Sequence, residues 1–111
     1  MSFTHLTQAS KEAQKAELEK FCASPELTLI VYGAGWCGPC QSYEPVLKKY
    51  ASSEGAIEVM HVDVDEAPEV SEKIETVPTT HLYRKGERVG EIRGALNLRS
   101  LRAFIAEQGA I

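Results

Sequence analysis

The sequence has neither a long apolar run nor an excess of basic charge. Among its 111 residues there are three cysteines. No stretch approaches the roughly 20 apolar residues that a membrane-spanning helix needs, so no membrane is expected as a partner. Residues 1–14 lack the apolar segment of a secretory signal, which makes a reducing cytoplasm the expected compartment. Three cysteines in that setting argue against a framework of structural disulfides. Twelve basic side chains stand against 16 acidic ones, a net charge of −4, so nucleic acid is not an expected partner. Linkers, internal repeats and low-complexity segments are missing too. The length allows one domain over residues 1–111, and 43% hydrophobic with 25% charged residues is ordinary for a soluble globular chain, expected as a monomer.

What the chain does have is two thiols three positions apart in Trp36-Cys37-Gly38-Pro39-Cys40, directly after the apolar run Leu27 to Tyr32. A strand is expected to hand over to a helix there. The first turn of a helix offers unpaired N–H groups and the positive end of the macrodipole, and both favour a thiolate over a thiol. Cys37 is therefore the expected nucleophile. Residues i and i+3 are neighbours on a helix, so Cys40 sits one turn behind, close to disulfide distance, as the resolving thiol. Cys40 is expected to be the more deeply buried of the two and to need help in losing its proton.

Two other chemistries compete for this segment. A zinc site would need a second C-x-x-C or suitably spaced histidines, whereas Cys22 stands alone and His5, His61 and His81 share no ligand spacing, so no metal is expected. Gly33 to Gly38 also spells G-x-G-x-x-G between strand and helix. A dinucleotide turn wants a longer doubly wound domain and no bulk against the pyrophosphate, and here Trp36 and Cys37 occupy the loop.

Along the chain, Phe3–Leu6 reads as a short strand and about Ser10 to Cys22 as a helix with Leu18, Phe21 and Cys22 inward, ended by Ser24-Pro25. Cys22 reads as a small buried hydrophobe. Leu27–Tyr32 has the unbroken apolar character of a central parallel strand. A helix from Cys37 to about Ser52 carries Tyr43, Val46, Leu47 and Tyr50 at helical spacing, with a kink expected at Pro45, and Gly55 closes it. Ala56–Val64 alternates as a second central strand. Glu66 to about Ile74 reads as a short helix. Thr79–Arg84 and Arg88–Arg93 form a hairpin around Lys85-Gly86-Glu87. Asn97 caps a last helix with Leu98, Leu101, Phe104 and Ile105 inward and Gly109 at its end.

This order of elements, with the redox pair after the second strand, resembles the thioredoxin family over almost the whole chain. The marks are separate ones: the complete Trp36-Cys37-Gly38-Pro39-Cys40 motif, Pro45, Val77-Pro78-Thr79, Asp63 to Pro68, Gly86 and Gly94-Ala95. The resemblance implies an α/β thioredoxin fold, a mixed five-stranded sheet flanked by four helices. It implies a protein disulfide reductase with no bound cofactor, which cycles a Cys37–Cys40 disulfide, acts on disulfide-containing target proteins and is recharged by an NADPH-dependent thioredoxin reductase. It further implies a cis Pro78 beside the redox pair, with Val77 pairing to an extended substrate strand. Gly35, Trp36, Val77, Pro78, Gly94 and Ala95 would form the surface around Cys37. A disulfide oxidase or isomerase, and a docking module that does no chemistry, remain as competing readings.

Three departures from the family stand out. The buried Asp usual six positions before the first cysteine and its Lys partner are replaced by Val31 and His61. His61 is then a candidate proton relay for Cys40, the alternative being a half-buried strand histidine with no part in the chemistry. Gly33 stands where the family often has Trp or Ser, removing bulk behind the redox centre. Glu75 and Arg93 are expected to flank the docking surface and to favour charged partners.

Overall fold

β1 (Phe3–His5), α1 (Lys11–Cys22), β2 (Leu27–Gly33), α2 (Gly38–Ser53), β3 (Ile57–Asp63), β4 (Thr79–Arg84), β5 (Glu87–Arg93) and α3 (Leu98–Gln108) follow one another along the chain. They are seen in a computed structural model that describes residues 3–6, 11–23, 27–53, 57–68 and 70–108. The strands lie in the order β1-β3-β2-β4-β5. β1, β3 and β2 run parallel, and β4 and β5 are antiparallel to their neighbours. This is the mixed five-stranded sheet that the motif order implied.

Strand alternation sorts the apolar side chains onto two faces. Leu29 and Val31 of β2, with Ile57 and Val59 of β3, pack against Tyr43 and Leu47 of α2 and Leu101 and Ile105 of α3. Ile30, Tyr32, Met60 and Val62 point the other way, where Leu18, Phe21 and Cys22 of α1 cover them. β2 is buried on both faces, which is why its sequence is an uninterrupted apolar run. Each fully buried Leu, Ile or Val contributes about 1.5–3 kcal/mol relative to an exposed one, so the sheet and its two helical covers hold each other in place.

The helix ends follow local chemistry. α1 is built from good helix formers, with Glu12 in its first turn and Lys20 in its last, each of the sign that the macrodipole favours. Asn97 caps α3 as expected: its Oδ1 accepts the Ser100 N–H at 2.8 Å and its carbonyl accepts the Leu101 N–H at 2.9 Å. α2 continues across Pro45. The expected ends at Ser10, Ser24-Pro25, Gly55 and Gly109, and the strand start at Ala56, lie outside the described residues.

Two expectations are corrected. The described part of 66–74 is a chain of turns rather than a helix, leaving three helices instead of four among the described residues. Asp63 turns the chain, its Oδ1 accepting the N–H groups of Asp65 (2.8 Å) and Glu66 (3.2 Å). Pro68 then lacks the N–H that would continue a ladder, and the next bonds, Ser71 N–H to Pro68 and Ile74 N–H to Ser71, have i to i+3 spacing. The segment still buries Ala67 and rests Val70 and Ile74 on the core, so its apolar spacing reports burial without reporting a helix. The hairpin is also tighter than expected. Arg84 pairs with Glu87, leaving Lys85 and Gly86 as a two-residue loop with φ of 54° and 85°. Positive φ at both positions is what a two-residue loop matched to the strand twist requires. Its second residue is the permissive glycine.

Candidate active site

Cys37 is the residue where β2's exit loop becomes α2. Its N–H donates to the Ala34 carbonyl at 3.2 Å, and its own carbonyl accepts the Gln41 N–H at 3.2 Å, the first bond of the helix. Cys37 is thus the N-cap, and its Sγ does what a capping oxygen does elsewhere, accepting the backbone N–H of Cys40 at 3.2 Å. Pro39 in the first turn loses nothing by lacking an N–H, because that group has no partner within a helix. Gly38 and Pro39 are exposed on the outer side of this turn. Negative charge on Cys37 Sγ meets a directed N–H and the positive helix end together.

Cys37 and Cys40 form a disulfide, with Cα atoms 5.2 Å apart. The two residues are 5% and 8% exposed, both buried, so the expectation that Cys40 is distinctly the deeper one is corrected. A cavity of about 330 Å³ reaches Cys40 beneath the start of α2. Cys40, Gln41, Glu44, His61, Asp63 and Glu66 are among its lining residues, whereas Cys37 is not.

The β2–β3 register sets Val31 beside His61 and Gly33 beside Asp63, all beneath the start of α2. A Cβ built on Gly33 would stand 2.9 Å from His61 Nε2 and 3.4 Å from Cys40 Sγ. The structure therefore brings His61 to the resolving cysteine. It leaves Val31 as a buried core residue.

The docking side is assembled from three loops. Val77-Pro78 is a cis peptide, and the Val77 carbonyl oxygen lies 3.8 Å from Cys37 Sγ. The β2–β4 ladder begins only at Thr79, which leaves Val77 outside the sheet. Gly94 donates its N–H to the Pro78 carbonyl at 2.8 Å, and this holds Gly94-Ala95 against the proline loop. Gly35 is exposed and Trp36 is 71% exposed, whereas Pro78 itself is buried beneath the surface it was expected to share. A groove of about 340 Å³ runs between Trp36, Val64, Ile74, Glu75, Thr76 and Val77. Arg93 Nη2 and Glu75 Oε1 meet at 3.2 Å at this end of the molecule.

Sequence reasoning missed Asp65, whose Oδ2 accepts the Trp36 indole N–H at 2.7 Å and fixes the ring at the groove. It also missed Gln41, which donates to the Gly35 carbonyl at 2.7 Å and ties the loop to α2. Both are polar residues of ordinary type, and only the fold brings them to the loop. Cys22 is a free, half-buried thiol on α1; burial pushes its pKa up to about 11, a direction that makes it unreactive. Among the described residues no group of three His, Cys, Asp or Glu side chains is arranged to hold a metal ion.

A disulfide between Cys37 and Cys40 at a helix start, beside a cis-proline loop and a groove, defines a dithiol–disulfide oxidoreductase whose redox group is its own disulfide. The thioredoxin family model matches residues 6–107, and the chain belongs to that family. It is 34% identical to mouse thioredoxin over 100 residues, covering 88% of this chain and 92% of the relative. It is 37% identical over 78 residues to thioredoxin-like 3-3 of Arabidopsis thaliana, where the match covers 70% of this chain and 62% of the relative's length. Among solved structures, oxidised mitochondrial thioredoxin 3 of Saccharomyces cerevisiae superposes with a TM-score of 0.80 at 28% identity, covering 95% of this chain and 94% of the other.

Proposed function

We propose that the chain reduces disulfide bonds in other proteins, drawing its electrons from an NADPH-dependent thioredoxin reductase, and that it does so in the cytoplasm. The observation that carries this reading is Cys37 Sγ at the N-cap of α2, held by the Cys40 N–H and bordered by Val77 and the Trp36 groove. In the reduced protein the Cys37 thiolate attacks one sulfur of a substrate disulfide; a mixed disulfide forms and the other substrate sulfur leaves as a thiolate. Cys40, deprotonated, then attacks Cys37 Sγ, restoring the internal disulfide and releasing the second substrate thiolate. Two electrons pass to the substrate, and the reductase returns two. An extended substrate pairs its backbone with Val77 by strand addition while its apolar side chains rest on the groove.

The test is a coupled assay of protein disulfide reduction with NADPH and thioredoxin reductase, with the reduction potential of the Cys37/Cys40 couple measured alongside. NADPH consumption that depends on both proteins is expected. A potential as oxidising as that of disulfide isomerases, about −180 mV, would reverse the direction and assign the chain to disulfide formation or reshuffling.

A further inference from the structure

Resolution of the mixed disulfide needs Cys40 as a thiolate, yet its surroundings supply no acidic side chain from the β2 position paired with His61, which is Val31. What they supply is an imidazole and room for it. His61 lies on the face of β3 that meets α2, and its Nε2 and Cys40 Sγ flank the same point, 2.9 and 3.4 Å from where a Gly33 Cβ would stand. Facing one shared point, the two atoms are near enough for a proton to pass between them through bridging water. Both line the cavity of about 330 Å³ beneath the start of α2, so a proton taken from the thiol has a path to solvent.

We propose that His61 is the general base that deprotonates Cys40 in the resolving step, a role that Gly33 permits by leaving the space between them unfilled. The proposal rests on the reductase reading and assigns its second step. The neutral imidazole accepts the Cys40 thiol proton at Nε2, directly or through one water. The Cys40 thiolate attacks Cys37 Sγ, the substrate thiolate departs, and the imidazolium gives its proton up through the cavity. Among the described residues, the charged and titratable groups that line the cavity with the ring are Cys40 and Glu44 on α2, Asp63 on β3 and Glu66 in the turn beyond it. His5 is the residue in register on β1. Glu44 is itself paired with Lys48 at 3.2 Å. Three carboxylates round the cavity carry the sign of charge that suits a ring receiving a proton.

The experiment mixes reduced protein, in a Cys22→Ser background, with one equivalent of dithiobis-nitrobenzoate and follows thionitrobenzoate by stopped flow. The first equivalent released reports attack by Cys37 and the second reports resolution by Cys40. A general base is worth typically about 10²- to 10⁴-fold, so His61→Gln is expected to slow the second phase by at least about 10-fold near neutral pH while sparing the first. The second phase of the parent protein rises with pH as the ring loses its proton, and His61→Gln removes that rise. Gly33→Ala, which changes no titratable group but sets a methyl against Nε2, slows the same phase. Added imidazole restores it in His61→Ala.

Equal second phases and pH profiles in the parent protein and His61→Gln would overturn the proposal. So would a slowed His61→Ala that imidazole does not rescue, since that result assigns the ring a purely structural part. A parent protein that releases no first equivalent overturns the reductase reading itself, and the two failures are thereby told apart.

Discussion

His81 Nε2 lies 2.8 Å from Glu91 Oε2 across the β4–β5 ladder, while the ring's other nitrogen, Nδ1, is buried with no partner among the described residues. The arrangement suits a neutral ring that donates from Nε2 to the carboxylate, because a second proton would place an unanswered N–H in the core. Burial accordingly holds the His81 pKa below its ordinary 6.5, against the pull of Glu91, and the bond to His81 holds Glu91 below its ordinary 4.5. Both groups bind protons more readily in the unfolded chain. Their contribution to stability is present above those ordinary values and is lost as pH falls through the lowered folded ones. The melting temperature is expected to drop from pH 7 toward pH 5, and His81→Gln to flatten that part of the curve; a wild-type curve that is level or rises on acidification would contradict this.

The two cysteines have separable duties. Cys37→Ser removes the attacking sulfur and is expected to abolish disulfide reduction. Cys40→Ser leaves attack intact and removes the exit, so mixed disulfides between Cys37 and substrate accumulate. Intact-mass spectrometry under non-reducing conditions reads both outcomes.

Tyr43 on α2 and Thr80 on β4 share a buried hydroxyl–hydroxyl hydrogen bond at 2.9 Å. Tyr43→Phe strands the Thr80 hydroxyl and is expected to cost about 1–3 kcal/mol in denaturant unfolding. Thr80→Val on the same background restores part of the loss, because both partners are then apolar. A double variant whose cost equals the sum of the single ones would show that the bond couples nothing.

Asp65 holds the Trp36 indole from the solvent side, so Asp65→Ala is expected to leave stability within about 0.5 kcal/mol and to raise KM for protein disulfides. Reduction of a small aromatic disulfide, which does not span the groove, stays the same. Equal effects on large and small substrates would place Asp65 in the chemistry instead of the docking surface.

The legible parts of this molecule are those where a local rule and the global fold agree. The β2 run is apolar because both faces are covered, Asn97 is a capping residue at a cap, and the thiol pair sits where a strand turns into a helix. The 66–74 segment misled because Ala67, Val70 and Ile74 have the spacing of an inward helical face, and that spacing records contact with the core, which successive turns achieve as well. Pro68 held the decisive hint, a missing donor just where a ladder would continue. The hairpin loop was read one residue too long because Lys85 gave no sign that it would accept a positive φ. The relative depth of the cysteines was beyond reach for a different reason. It depends on the cavity that reaches Cys40, which exists only once α2, β2 and β3 are in place. Asp65 and Gln41 escaped for the same reason, since neither has a chemistry of its own at this site.

Trp36 is the chain's single tryptophan, adjacent in sequence to Cys37. A change of bonding at Cys37 therefore falls next to the chain's one indole, and Trp36 emission is expected to differ between the dithiol and the disulfide. A titration with reductant, followed by emission, reads that difference without a dye or a label.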